Sequence, residues 1–370
     1  MKKLRAFLQR KDIVFSGKRY GIDALGAMAQ GLFCTLLVGT ILNTIGQQFA
    51  IGFLNEVLVT VGKGDGAVSY TIGGLASAMV GPGIAIAIGT ALHAPGLVLF
   101  SLIPVGFAAN AMGGAGGPLA VYFVAILACE CGKLVSKETK IDILVTPIIT
   151  ILAGIGFAAL VAAPIGTAAK AVGQAIMWAT DLQPFFMGII VSVLVGIALT
   201  LPISSAAICA SFGLVGLAGG AAVAGCCAQM VGFAVMSFRE NRWGGLVAQG
   251  VGTSMLQMPN IVKNPRIWIP PTLASAITGP LATCLFQLEM NDPGGGLASG
   301  MGTCGFVGQI GVYSGWANDI ATGAKAAITA TDWIALALIC FVLPAILSWF
   351  FCLILRRWGW IKENDLKLNL

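Results

Sequence analysis

The chain has 370 residues, of which 57% are hydrophobic and only 10% are charged, and its mean hydropathy is +0.91. Soluble domains carry about 25% charged residues, so this composition excludes a soluble globular protein and indicates a polytopic protein that contacts membrane lipid. The formal net charge of +6 resides in short cationic runs beside apolar segments, where such runs act as topology signals and give no reason to expect a nucleic-acid partner.

The cationic runs set the predicted orientation of the chain. Seven cations lie between Lys2 and Arg19, and Arg356 and Arg357 introduce the C-terminal tail. Short segments rich in Lys and Arg remain cytoplasmic. We therefore expect a multi-pass protein of the bacterial cytoplasmic (inner) membrane with both termini in the cytoplasm and an even number of full crossings.

The first half of the chain contains five apolar segments, and a bilayer crossing takes roughly 20 such residues. These predicted spans are Gly21–Ile45, Ala67–Thr90, Gly96–Met112, Gly117–Cys131 and Ile143–Ala163. Residues 1–20 mix apolar and cationic side chains, which favours a cytoplasmic amphipathic segment, with an ordered loop as the alternative. After the fifth span, Ala168–Leu182 is predicted to lie at the outer interface or to form an ordered loop.

The second half begins with Gln183–Met236, which contains no Asp, Glu, Lys or Arg. An uncharged run of this length must lie in lipid. Five further spans are predicted, which makes ten in all: Pro184–Leu201, Ser204–Leu217, Ala221–Met236, Trp268–Leu288 and Trp333–Leu355.

Two apolar stretches remain that are broken by glycine. Gly244–Val262 has cations on both sides, so it is predicted to enter and leave the membrane on the cytoplasmic side. Gly294–Gly315 lies between Asn-Asp pairs at the opposite side and is predicted to dip in from there. Two opposed re-entrant hairpins are what an inverted repeat produces, with the substrate site near the midplane.

Polar, uncharged residues concentrate in these two stretches and at the break Pro202-Ile203-Ser204-Ser205 between two predicted spans, and they are the candidate substrate-binding groups. Polar groups are costly in a membrane and usually face the interior of the bundle. The alternative is structural, because serine and threonine also cap helices and small residues also pack helices together. The candidates are Ser204, Ser205, Gln249, Thr253, Ser254, Gln257, Asn260, Thr303 and Gln309.

The chain shows no pattern of catalytic or cofactor-binding residues. His93 is its only histidine, and the ten cysteines lack metal-ligand spacing. No Walker-type phosphate loop is present. We therefore expect no catalytic residues, no metal and no cofactor, and no enzymatic activity in this chain alone.

Three stretches carry a family resemblance: residues 20–33, the Gly113-Gly-Ala-Gly-Gly-Pro118 turn and Pro202-Ile-Ser-Ser-Ala-Ala207. With the ten predicted spans and two opposed hairpins, the chain resembles the membrane permease subunit IIC of the bacterial phosphotransferase system, in its glucose superfamily. It is most similar to the IIC-like proteins described as perfringolysin (toxin) regulators.

The resemblance implies an all-α elevator architecture and a homodimer. Residues 21–182 would form the interface (dimerisation or scaffold) helices, residues 183–355 a transport domain with both hairpins, and residues 356–370 a cytoplasmic tail. It also implies a carbohydrate substrate. Sugar permeases of that system usually carry a Glu-Pro motif and a histidine at the substrate, whereas here Leu201 precedes Pro202 and the second half contains no histidine.

The sequence thus predicts a transporter of a small polar solute, a sugar or sugar-like compound, that works by alternating access of an elevator domain. Phosphorylation of the solute would require separate IIA and IIB partner proteins of the phosphotransferase system, because neither is fused to this chain. The alternative is a membrane sensor or regulator that uses the same ligand pocket without net transport.

Overall fold

The computed structural model describes residues 2–62, 67–291 and 296–368, with side chains from residue 6 onward. About 79% of the chain is helical, and its contacts divide it into two units, Met1–Ala168 and Ala169–Leu370. The predicted boundary between scaffold and transport domains, at residues 182 and 183, stays a prediction. Gly294, where the second hairpin was expected to begin, lies outside the described residues, as do Met1 and the last two residues of the tail.

The first unit consists of helices and one small β-hairpin. Its helices are α1 (Lys2–Arg10), α2 (Ala24–Leu32), α3 (Val38–Gln48), α4 (Gly52–Asn55), α5 (Ile72–Ala78), α6 (Val80–Ala91), α7 (Gly96–Gly113), α8 (Gly117–Val135) and α9 (Asp142–Thr180), whose C-terminal part belongs to the second unit. The π turn Phe33–Leu37 joins α2 to α3, and a second π turn, Arg19–Asp23, extends α2 at its N-terminal end. Strands β1 (Val59–Val61) and β2 (Val68–Tyr70) pair antiparallel. The strand β2 occupies the beginning of the predicted span Ala67–Thr90.

The helices of the second unit are α10 (Pro184–Thr200), α11 (Ser205–Ser211), α12 (Gly216–Met236), α13 (Phe238–Val247), α14 (Met258–Lys263), α15 (Ile269–Pro280), α16 (Val307–Ala321), α17 (Ala330–Ala337) and α18 (Leu343–Arg357). Shorter 3-10 or π turns connect several of them. These turns are Ala248–Gly252, Ser254–Gln257, Pro265–Trp268, Leu281–Leu285, Ala298–Gly300, Cys304–Phe306 and Leu338–Val342.

Five helical stretches of the described residues are long and apolar enough to cross a membrane, or six if the pair α5 and α6, bent by 53°, counts as one span. They are Arg19–Gln48, Gly96–Val135, Asp142–Thr180, Gly216–Met236 and Ala330–Arg357. The stretch Gly96–Val135 turns back at Gly114, whose φ is +52°, so that Gly132 of α8 lies beside Val98 of α7. The protein is therefore an all-α membrane protein apart from its β-hairpin, while the number of ten crossings stays a prediction.

The helix α12 forms the centre of the second unit. It packs against α10, α15 and α18, and its residues Ala221–Cys227 are buried. Close approach depends on small residues, as is usual between membrane helices. At Gly225 a Cβ atom would overlap the carbonyl oxygen of Ser192 on α10, so only glycine fits at this crossing.

Two predicted segments differ from the structure. The expected span Ser204–Leu217 is realised as α11, a helix of seven residues that is about 10 Å long and too short to cross a bilayer. The left-handed Gly213, with φ +59°, follows its end, and the left-handed Gly216, with φ +65°, begins α12. The expected interfacial segment Ala168–Leu182 is not separate, because α9 continues without a break to Thr180.

A charged cluster ties the N-terminal segment to the rest of the first unit. Asp12 accepts two hydrogen bonds from the guanidinium of Arg19, at 3.0 and 2.6 Å, and these lower the pKa of Asp12 from 3.8 to about 2. Lys133, whose side chain is only 1% exposed, pairs with Glu130 at 3.2 Å and donates to the carbonyl oxygens of Asp12 and Leu92 at 2.7 and 3.0 Å. These contacts fix residues 12–19 against α8 and the end of α6.

Candidate functional site

The first predicted hairpin folds as two helical limbs that turn back on each other. We call residues 243–263 hairpin 1. It begins at a kink at Arg242, with φ 53° and ψ −151°, and its tip is Thr253, which is extended between two short turns. The Thr253 hydroxyl caps the second turn by accepting from the Met255 amide at 3.2 Å. Across the two limbs, Gln257 donates to Gln249 at 2.8 Å.

The second hairpin, residues 296–321, has a tip made of glycines in left-handed conformations. Gly302 and Gly305 have φ of +54° and +51°. At the base, Asn291 donates to both carboxylate oxygens of Asp319 at 3.0 Å, so the chain enters and leaves at the same level. We call this segment hairpin 2. Both stretches thus have the hairpin form expected from the sequence, and their depth in a membrane stays a prediction.

The two tips meet against the middle of α12. The turn Cys304–Phe306 of hairpin 2 contacts the turn Ala248–Gly252 of hairpin 1, and both hairpins contact α12. Gly302 lies so close to Cys226 that an added Cβ would be 2.7 Å from the cysteine Cβ. Thr303 points at Met230, with its hydroxyl 3.5 Å from the sulfur. We call this meeting point the tip region.

The break between α10 and α11 reaches the same region. Pro202 has no amide hydrogen to continue α10, and Ser204 caps α11 by accepting from the Ala207 amide at 3.2 Å. Ser205 donates to the carbonyl oxygen of Gly300 in hairpin 2 at 2.7 Å. On the other side, the hydroxyls of Thr200 and Ser254 lie 2.8 Å apart. The break therefore connects to both hairpins.

Three of the candidate residues form a separate, buried amide network on the side of hairpin 1 nearest the C-terminal tail. Gln249 donates to Ser237 and to the Gly245 carbonyl, at 2.9 and 2.8 Å. Gln257 accepts from Asn260 at 2.8 Å, and both of these side chains also donate to main-chain carbonyls of the tail. In this conformation their donors are engaged by the protein itself.

Gln229, the neighbour of Met230 on α12, borders the tip region but was not among the residues expected from the sequence. It is fully buried on α12 and accepts from the Trp268 indole at 2.9 Å. Thr200 donates to the same oxygen at 3.4 Å, which links Gln229 to Ser254 through the threonine. A signal for it existed, because Gln229 is the single amide side chain in the otherwise apolar α12, and intramembrane polar groups are usually functional.

Gln309 is the candidate residue with an unmet hydrogen-bonding capacity. Its side-chain nitrogen donates to the Cys227 sulfur at 3.2 Å. Its carbonyl oxygen is buried and has no hydrogen-bond partner among the described residues. A buried acceptor without a partner costs about 1–3 kcal/mol, so this oxygen is suited to accept a hydrogen bond from a bound solute.

The tip region carries no formal charge. The segments that build it, residues 200–205, 225–230, 248–257 and 300–309, contain no Asp, Glu, Lys, Arg or His. Among the described residues, no group of three His, Cys, Asp or Glu side chains is arranged to hold a metal ion. The chemistry available here is hydrogen bonding by amides, hydroxyls and main-chain groups.

Comparison with known protein families places the chain in a family. The family model described as phosphotransferase system, EIIC, matches residues 22–368. No curated protein and no solved structure matches this chain.

Proposed function

Because this chain belongs to the EIIC family of the phosphotransferase system, which makes it a bacterial multi-pass membrane protein of the sugar-transport class, we propose that it carries a small polar solute, a sugar or sugar-like compound, across the inner membrane. The observation that carries the proposal is the convergence of both hairpin tips and the α10–α11 break on the middle of α12. Broken backbone at membrane depth is tolerated where it lines a cavity or is buried in protein, and in transporters it surrounds the substrate.

The proposed solute is neutral. An ionised substrate would need a counter-charge in a region of low dielectric constant, and the tip region offers none. A sugar or polyol instead presents several hydroxyl donors and acceptors. The unpartnered oxygen of Gln309 would accept one such donor, and the hydroxyls of Thr303, Ser204 and Ser254 lie on the surrounding elements.

The proposed mechanism is an elevator. The second unit contains both hairpins and the helices that hold them, so the whole tip region would move with its solute as one body. The first unit, with its fixed charged cluster, would supply the stationary scaffold and the homodimer interface. Membership of the toxin-regulator group also stays a prediction from the sequence resemblance.

Phosphorylation is proposed to depend on separate partner proteins. Leu201 precedes Pro202 at the break where a glutamate is expected in sugar permeases of this system, and the second unit holds no histidine. This chain would therefore supply the path and the binding site, while any phosphoryl donor would come from IIA and IIB proteins.

Uptake of radiolabelled sugars and polyols into proteoliposomes of the purified protein tests the proposal. Replacing Gln309 by Leu should weaken the apparent affinity roughly two- to tenfold, because a neutral hydrogen bond contributes about 0.5–1.5 kcal/mol. The same change at the exposed Gln48 is the matched control and should leave uptake unchanged. If one solute raises the melting temperature but no solute moves under any ion gradient, the protein is not a self-sufficient carrier. It then acts as a sensor, or it needs a separate phosphotransfer partner.

A further inference from the structure

The side of hairpin 1 that carries the buried amide network binds the C-terminal segment of the chain itself. We call residues 358–368 the C-terminal strap. Two of its apolar side chains are buried, Ile361 at 2% and Leu366 at 0% exposure. The strap follows α18 directly, so its attachment point is fixed by a long helix.

Asparagine and glutamine side chains of hairpin 1 and its two ends grip the main chain of the strap. Asn241 donates to the Leu366 carbonyl at 2.7 Å and accepts from the Leu368 amide at 2.8 Å. Gln257 donates to the same Leu366 carbonyl at 3.0 Å, and Asn260 donates to the Lys367 carbonyl at 2.9 Å. The strap is folded into turns, with Asn364 at φ +69°, and these side-chain amides hold its main chain in that shape.

The strap also reaches the far end of the hairpin. Asn264 donates to the Trp360 carbonyl at 2.9 Å and to the Asp365 carboxylate at 2.8 Å. The guanidinium of Arg266 lies over the Trp360 ring, 5.1 Å from its centroid. One segment of eleven residues therefore contacts both ends of hairpin 1 and its returning limb.

Both contacts at the ends fall at breaks in the helical backbone. Asn241 precedes the kink at Arg242, where a non-glycine residue has φ 53°. Asn264 is extended, with φ −139° and ψ 91°, between α14 and the turn that leads to α15. Such breaks are where a hairpin can swing, because few residues need to change their dihedral angles. The strap thus spans the two hinges of hairpin 1.

We propose that the C-terminal strap is a bound, intramolecular ligand that locks hairpin 1, and that it must detach before hairpin 1 can open. While it is bound, the amides of Gln257 and Asn260 are committed to its carbonyls. Detachment frees these donors and both hinges together. The locking itself does not depend on transport, whereas its effect on the solute path rests on the proposed function.

Hydrogen exchange of the full-length protein in nanodiscs tests the lock without reference to transport. A chain ending at Gly359, and separately the double variant Asn241→Ala with Asn264→Ala, should exchange the backbone amides of residues 243–263 at least tenfold faster than the wild type. Lys362→Ala is the control within the strap, since this side chain makes no hydrogen bond or ion pair with the described residues, and it should exchange like the wild type. A synthetic peptide of residues 360–370 should slow exchange in the shortened chain again.

Unchanged exchange in either variant would overturn the lock. If the shortened chain does not fold, the double variant decides, because it keeps every strap residue. Uptake measured in parallel separates the two proposals. Faster exchange of the variants together with a changed uptake rate supports both the lock and its control of the solute path. Faster exchange in a protein whose wild type moves no solute supports the lock and overturns the carrier, and unchanged exchange in a wild type that does transport overturns the lock alone.

Discussion

Replacing Gly225 by Ala should separate α10 from α12 and destabilise the second unit. A Cβ atom at this position would lie 2.6 Å from the Cα atom of Ser192, whereas carbon atoms in favourable contact are about 3.5–4.0 Å apart. The two atoms would therefore be roughly 1 Å too close. Because the atom of Ser192 belongs to the backbone, no side-chain rotation can relieve the overlap. Overpacking of this kind costs about 1–3 kcal/mol.

The same shift should disturb the tip region. Gly225 also packs against Gly196 on α10, where an added Cβ would lie 2.7 Å from the Gly225 carbonyl oxygen. Thr200 and Gln229 lie four residues further along these two helices, and the threonine connects Gln229 to Ser254. Thermal unfolding in detergent should show a melting temperature lower by about 2–12 °C, since 1 kcal/mol corresponds to about 2–4 °C for a unit of this size. Solute affinity should fall as well.

Gly156→Ala is the matched control. It makes the same chemical change in the exposed middle of α9, where an added Cβ meets no atom within 4 Å, and alanine is favoured over glycine in a helix by about 1 kcal/mol. Its melting temperature should be unchanged or slightly higher. If Gly225→Ala has the same melting temperature as Gly156→Ala, the crossing of α10 and α12 is not as tight as described and the reasoning is wrong.

Three further changes test the buried polar groups. Gln229→Leu should lower stability by about 1–3 kcal/mol, because the Trp268 indole then has no acceptor; near-native unfolding in denaturant would show that this network is dispensable. Lys133→Met should cost about 3–5 kcal/mol, since Glu130 is left as a buried charge, and Lys133→Arg should recover part of that loss. The pKa of Asp12 in the folded protein is lowered from 3.8 to about 2, so its contribution to the free energy of unfolding is complete above about pH 4 and disappears as the pH falls from 4 to 2. Asp12→Asn should therefore flatten the dependence of stability on pH in that window. An unaltered dependence would contradict the assignment.

The amino-acid sequence by itself determined the membrane class, the family and most helical segments, because those depend on local composition. Apolar runs and the residues that interrupt them can be recognised in the sequence without knowledge of tertiary contacts. Pro202 and Ser204 mark the break after α10 in the sequence, and the structure has it there. The glycines that break the stretch Gly294–Gly315 likewise indicated a change of chain direction, and the left-handed Gly302 and Gly305 form the tip of hairpin 2.

Only the tertiary structure decided which polar residues meet. Gln257 and Asn260 are predicted solute-binding groups, and in this conformation their amides donate to the main-chain carbonyls of Leu366 and Lys367 in the strap, while Gln249 accepts from Gln257. Carbonyl groups are present at every residue and carry no sequence signal, so this pairing across more than a hundred residues could not be foreseen. The role of Gln229 was hidden for the same physical reason, because its partners come from α10 and from the turn that precedes α15, and their approach is set by packing rather than by neighbours along the chain.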